Sequence, residues 1–192
     1  MKIRIVTDSG SDLSDEEISN LGILIVPLSI RFGEEELIDR IELGADEFYD
    51  RMNNSDDVPQ TAAPSPGAFI TAFEECFEQG AETVICINMS GELSATIQAA
   101  ETAARELAGK DIHIFDSKSV TSGLGTMVLE AAKASQENHS VDEILKLVDD
   151  LRSKTHVYAA IDTLENLKKG GRIGNAQALL GSMLSIKPLI DV

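Results

Sequence analysis

Residues 83–107 read TVICINMSGELSATIQAAETAAREL, and this segment restricts the fold more than any other. An apolar run there suits a strand, and Ile97, Ala100, Ala104 and Leu107 then follow at helical spacing. The same succession recurs along the chain. Residues 2–7 and 23–30 are Ile- and Val-rich strands separated by SGSDLSDEEISNLG, where Ser14 and Glu17 form a capping-box pair and Gly22 stops the helix. Residues 111–115 give a fourth strand, and residues 123–135 and 141–151 give helices. Strands alternating with helices predict an α/β fold with a doubly wound, mostly parallel sheet, whose binding site belongs at the carboxyl ends of the strands.

Between these elements, residues 32–43 predict a hairpin or irregular excursion, and residues 46–52 a brief helix. SDDVPQTAAPSPG is a Pro/Ser/Ala-rich loop that ends in Ser65 as N-cap and Pro66 as first helical residue. Phe69, Phe73 and Phe77, four apart, form the inner face of the following helix. The pattern changes after residue 153. THVYAAID is a strand, LENLKKGGRIG a local basic turn, and the chain is apolar to its last residue. The expected organisation is therefore an α/β domain over residues 1–153 and the start of a second, incomplete lobe over residues 154–192.

With 33 acidic against 16 basic residues the formal net charge is -17, which disfavours nucleic-acid backbones and anionic membrane surfaces as partners. Cys76 and Cys86 form no CxxC and are expected to be reduced, buried thiols. MKIRIVTDSG turns polar too early for a secretory leader, and no apolar run reaches the ~18 residues of a membrane span, so a cytoplasmic protein without stable membrane anchoring is expected.

The turn SGELSA carries the chemistry. Ser90, Gly91, Ser94 and Thr96 lie where strand hands over to helix, so the amides of Ser94, Ala95 and Thr96 make an anion site at a helix N-terminus. A plainer reading makes Ser94 only an N-cap. Three further hydroxyl-bearing turns, TDS at residues 7–9, PQTAAPSP around Thr61, and DSKSVTSG from Asp116, each follow a strand or open a helix, so several of them can converge on one sheet edge in such a fold. Asp8 and Asp12 suggest magnesium or phosphoaspartate chemistry, although DSGSD lacks the alternating carboxylates of a calcium loop. GLGTMV is only a partial dinucleotide fingerprint, and His113, His139 and His156 lack metal or triad spacing. Lys168, Lys169 and Arg172, with neighbouring glycine amides, form either a phosphate cradle or a solvated turn.

Taken together, TDSGSDL, PQTAAPSPGAF, SGELSATIQAA with DSKSVTSGLG, and LKKGGRIG leading to LSIKPLI resemble the DegV family, which includes the fatty-acid-binding subunits of bacterial fatty acid kinases. The resemblance covers essentially the whole chain. It implies a bound long-chain fatty acid as ligand, no cofactor and no metal, with the carboxylate at Ser94 and the Ala95 amide, Thr61 beside it, and the tail in an apolar tunnel. Ser9, Ser117 and Arg172 are candidates for further ligand or partner contacts. The acid would be presented to a separate kinase subunit for acyl phosphate formation, so the chain itself would be no enzyme. Departures are Ala62 and Ala63 in place of polar residues, and Ala95 where the family often has glycine, which adds a methyl beside the carboxylate. Family members usually continue beyond the SIKP segment, so a missing tunnel wall and a homodimer through residues 179–192 are expected of this length. The competing reading is a small hydrolase or phosphotransferase using Asp8 or Ser94, a serine nucleophile requiring a base within reach.

Overall fold

The computed structural model describes residues 2–55, 58–174, 176 and 187–191. Its centre is a four-stranded parallel sheet in the order β2-β1-β6-β7, formed by Leu24–Val26, Ile3–Asp8, Thr83–Asn88 and Asp111–Asp116. β1 pairs with β6 from Ile3 against Thr83 to Thr7 against Ile87, and β6 with β7 from Thr83 against Asp111 to Asn88 against Asp116. Every residue of β6 is buried, the polar Thr83 and Asn88 at its ends included.

Helices cover both faces. On one side, β1 and β6 turn Ile3, Ile5, Ile85 and Ile87 towards α5 (Thr121–Gln136) and α6 (Val141–Arg152), with α1 (Asp15–Leu21) packed at the margin. On the other, Val6, Val84 and Cys86 meet Phe69, Phe73 and Cys76 of α3 (Pro66–Glu78) and Ala99, Ala100 and Ala103 of α4 (Thr96–Glu106). Three helix starts are capped by a serine. Ser14 and Ser140 close capping boxes with Glu17 and Glu143, and Ser65 caps α3 with Pro66 at its first position.

Three sequence expectations change. The apolar run 23–30 is two strands, because Pro27 separates β2 from β3 (Ser29–Phe32), which enters a different, antiparallel sheet. That sheet has the order β4-β3-β5, with β4 at Glu35–Ile38 giving the expected hairpin and β5 at Gln60–Ala62. Thr61 therefore lies in a strand, paired with Ile30, instead of in a loop. Phe77 is only partly buried, under the Lys110 ammonium 4.8 Å from its ring centre, whereas Phe69 and Phe73 are fully buried. α2 spans Ala45–Asn54. Beyond α6, β8 (Tyr158–Ala160) pairs antiparallel with β9 (Leu189–Asp191), and α7 is Glu165–Lys169. Most of the 179–192 segment expected to mediate dimerisation lies outside the described residues.

Candidate functional site

Sheet order places the topological switch point between β1 and β6, since the chain proceeds from β1 to β2 on one side and returns to β6 on the other. Ligands in open α/β sheets bind outside the carboxyl ends of strands at that position. Here β6 ends at Asn88, and residues 90–94 fold into a tight turn: the Ser90 carbonyl accepts the N–H of Leu93 at 3.0 Å and that of Ser94 at 3.1 Å. The first helical bond runs from the Ala99 N–H to the Ala95 carbonyl at 3.2 Å, so the helix begins one residue later than an N-cap at Ser94 would require, and Ala95 occupies the N-cap position without a side-chain cap. Ser94 Oγ lies 2.8 Å from Thr96 Oγ1 and accepts the Thr96 N–H at 3.3 Å. Among the described residues, no backbone acceptor pairs with the N–H groups of Ala95, Ile97 and Gln98. Ser94 is half-buried and Ala95 exposed, so a half-buried hydroxyl and free amides open together at the positive end of α4.

Arg172 reaches this turn, donating from Nε to the Leu93 carbonyl at 3.2 Å and from Nη1 to the Gly170 carbonyl at 2.6 Å. A cavity of ≈ 480 Å³ lies between them, bounded by Ser90, Leu93 and Lys118 on one side and by Ile161, Leu167 and Arg172 on the other. Lys168 and Lys169 close α7 and are exposed.

The remaining candidates are placed differently. Thr61 is exposed and borders a separate hollow with Ser29, Arg31 and Glu36. Ser9 is buried and its hydroxyl accepts the Leu28 N–H at 3.1 Å, tying the turn after β1 to the entry of β3. Ser117 is buried, donates to the Ser119 carbonyl and accepts the Ser119 N–H, so its hydroxyl is spent inside its own loop. The structure thus gathers Ser94, Ala95 and Arg172 at one turn, and gives Thr61, Ser9 and Ser117 other neighbours. Gly123 and Gly125 belong to α5: a Cβ on Gly125 would stand 2.6 Å from the Ser11 carbonyl oxygen, so this pair permits close packing of helix on turn.

Asp8 ends β1 with no solvent exposure, and its carboxylate accepts from the Met89 N–H at 2.8 Å, Asn88 Nδ2 at 3.1 Å and the Gly10 N–H at 3.0 Å. Burial raises this carboxyl from its ordinary value, against the pull of its hydrogen bonds from Met89, Asn88 and Gly10. Burial also drives the Cys86 thiol well up, helped by the charge of Asp8, and both cysteines are reduced. The three histidines sit beside acids: His113 with Asp111, His139 with Glu137 and Glu143, His156 with Asp191. Among the described residues no group of three or more His, Cys, Asp or Glu is placed to hold a metal ion, and no helix is long and apolar enough to cross a membrane.

A doubly wound α/β sheet with a helix N-terminus at its switch point defines the class, and comparison with known proteins identifies the family. Residues 2–192 match the family described as "Uncharacterised protein, DegV family". A DegV domain-containing protein of Deinococcus radiodurans is 38% identical over 192 residues, covering 100% of this chain and 68% of that protein. One from Listeria monocytogenes is 36% identical over 189 residues, covering 98% and 67%. The chain belongs to the DegV family. Among solved structures, a fatty-acid-binding DegV family protein of Thermus thermophilus superposes with a TM-score of 0.91 at 36% identity, covering 100% of this chain and 68% of that one. DegV of Bacillus subtilis, described as a fatty acid binding protein, gives 0.90 at 30% identity, with coverage of 100% and 68%.

Proposed function

We propose that this chain binds a long-chain fatty acid and holds it for a separate kinase that converts the carboxylate to an acyl phosphate. The observation that carries the reading is the start of α4, where the half-buried Ser94 hydroxyl and the amides of Ala95, Ile97 and Gln98, without a backbone partner among the described residues, lie together at the carboxyl edge of the sheet. A carboxylate there gains charge-assisted hydrogen bonds and the favourable helix dipole. Arg172 supplies a nearby cation, and Leu93, Ile161 and Leu167 offer the acyl chain an apolar wall. Thr61 is a further carboxylate contact in this reading, requiring the β5 edge to approach the turn when ligand is bound. Ser9 and Ser117 are assigned support of the adjoining loops.

A carrier role is supported by what surrounds the two candidate nucleophiles. Ser94 Oγ pairs with Thr96 Oγ1, and each histidine has an acidic neighbour elsewhere. Asp8 is enclosed and its oxygens are engaged by three N–H donors, a poor state for attack on a phosphate ester. The relatives described as fatty-acid-binding support the ligand class.

Native mass spectrometry of gently purified protein, followed by titration of the delipidated protein, tests the proposal. A co-purifying fatty acid is expected. Ser94→Ala should weaken binding by about tenfold or more, since a hydrogen bond to a charged group contributes roughly 1.5–3 kcal/mol. Protein that neither carries nor takes up fatty acid, or Ser94→Ala binding unchanged with the fold intact, would sink the reading.

A further inference from the structure

Asp8 is an unusual residue to enclose. All three of its donors are neutral amides, and a buried carboxylate held without a cation is destabilising unless its hydrogen bonds are well made. Two of those donors, Met89 N–H and Asn88 Nδ2, come from the point where β6 leaves the sheet. The Cys86 thiol donates to Asn88 Oδ1 at 3.2 Å, which fixes the carboxamide so that its nitrogen faces Asp8. The chain then continues directly into the site. Ser90 donates its N–H to the Ser119 carbonyl at 2.8 Å, and its own carbonyl closes the turn that ends at Ser94.

We propose that Asp8 is the positioning residue of the carboxylate site. It fixes the height at which residues 89–94 rise from the switch point, and thereby aims the Ser94 hydroxyl and the Ala95 amide, while touching no ligand itself. The assignment rests on the reading of Ser94 and Ala95 as carboxylate contacts. Two alternative roles give different signatures. A general structural role would loosen the whole pocket, lowering affinity for every acyl ligand alike. A positioning role acts on the headgroup alone.

The test uses palmitic acid and cetyl alcohol, which share a chain and differ in the headgroup. Asp8→Asn is isosteric and turns one acceptor oxygen into an NH₂, so at least one of the three bonds fails. Asn88→Ala removes a single donor, leaves the charge and the Met89 bond, and serves as the decisive variant where Asp8→Asn does not fold. Wild-type protein should prefer the acid. Asp8→Asn should lower that preference by about tenfold with alcohol affinity held within about twofold, and Asn88→Ala should lower it less, in the same direction. The amide signals of Ser94, Ala95 and Ile97 in nitrogen-correlated NMR spectra should shift in both variants while those of α6 stay fixed. Equal losses for acid and alcohol, or unmoved site amides with an unchanged preference, overturn the proposal. A wild-type protein that does not distinguish acid from alcohol defeats the carboxylate-site reading itself. The ligand-free amide shifts then decide on Asp8 alone, supporting its role by moving and overturning it by staying fixed.

Discussion

Glu17 and Glu143 close the same reciprocal cap at the starts of α1 and α6. Glu17 accepts from the Ser14 hydroxyl at 2.7 Å and the Ser14 N–H at 2.9 Å, and Glu143 accepts from the Ser140 N–H and hydroxyl, each at 2.8 Å. These bonds hold both carboxyls below their ordinary value. A carboxyl with a lowered folded-state pKa contributes stability that is present above its unfolded value, near 4.3, and is lost as pH falls through the folded value. Asp8 has the opposite sign. Its raised folded-state pKa favours the fold below the unfolded value, and that contribution fades as pH rises through the raised one. Replacing Glu17 and Glu143 together by Gln should therefore flatten the acid limb of stability, so that urea midpoints fall less between about pH 6 and about pH 3 than in wild type. An acid limb as steep as that of the parent would show that other carboxylates set it.

Two helical glycines should respond to alanine in opposite directions. Gly67 lies exposed in the first turn of α3, where an added Cβ would meet only Ser65 Oγ at 3.7 Å. Alanine there gains helix propensity, up to about 0.5–1 kcal/mol. Gly125 is buried in α5, and its Cβ would lie 2.6 Å from a backbone carbonyl oxygen of the turn after β1. Backbone cannot step aside as a side chain can, so the overpacking penalty of roughly 1–3 kcal/mol exceeds the propensity gain. Thermal denaturation should rank Gly67→Ala above wild type and Gly125→Ala below it, and the reverse order would contradict this packing account. The contrast also indicates which features could be read from the sequence. Ser14 with Glu17, Ser65 with Pro66, and the apolar run of β6 are local patterns with local causes, so their elements were legible. The break at Pro27 was not, because an apolar run does not reveal which sheet it joins. β5 was hidden because Gln60–Ala62 becomes a strand only by pairing with the distant β3. At the site, the serine-rich turn announced where strand hands over to helix. The displacement of the N-cap to Ala95, whose carbonyl takes the first helical bond from Ala99, is a backbone matter that residue types do not encode. Asp8 was visible as an acid of interest, but its work depends on Asn88 and Met89 across the sheet. The nearest clue was an asparagine ending an otherwise apolar strand.

At the scale of the whole molecule, 33 acidic and 16 basic residues leave a net charge of -17 whose self-repulsion opposes compaction, so stability must come from the two apolar layers on either side of the parallel sheet. Those layers end with α6. Among the described residues beyond 153 only Leu164 is a buried hydrophobic, while Tyr158 and Leu189 on the paired strands are 60% and 68% exposed. A two-stranded ribbon with so little apolar cover is marginal in water, whatever its hydrogen bonds. The segment is nonetheless tied to the core, with Val157 packed near Gly123 and Arg172 bonded to Leu93, so its opening would remove Arg172 from the turn that carries Ser94. We infer that the described residues 154–174 and 187–191 form a unit of lower local stability than the described residues before 154. Native-state hydrogen exchange tests this at the Ile161 amide, which donates to the Pro188 carbonyl at 3.1 Å, against the amides of Ile85 and Cys86 in β6. Ile161 should exchange through a local opening of low free energy that is nearly insensitive to urea, and the β6 amides only through global unfolding with a steep urea dependence. Added fatty acid should slow exchange at Ile161 if Arg172 contributes to holding the carboxylate, because ligand and closure then favour each other. Exchange at Ile161 that tracks β6 at every urea concentration would instead make the chain one cooperative unit, with the boundary near residue 153 marking a change of sequence pattern and no more.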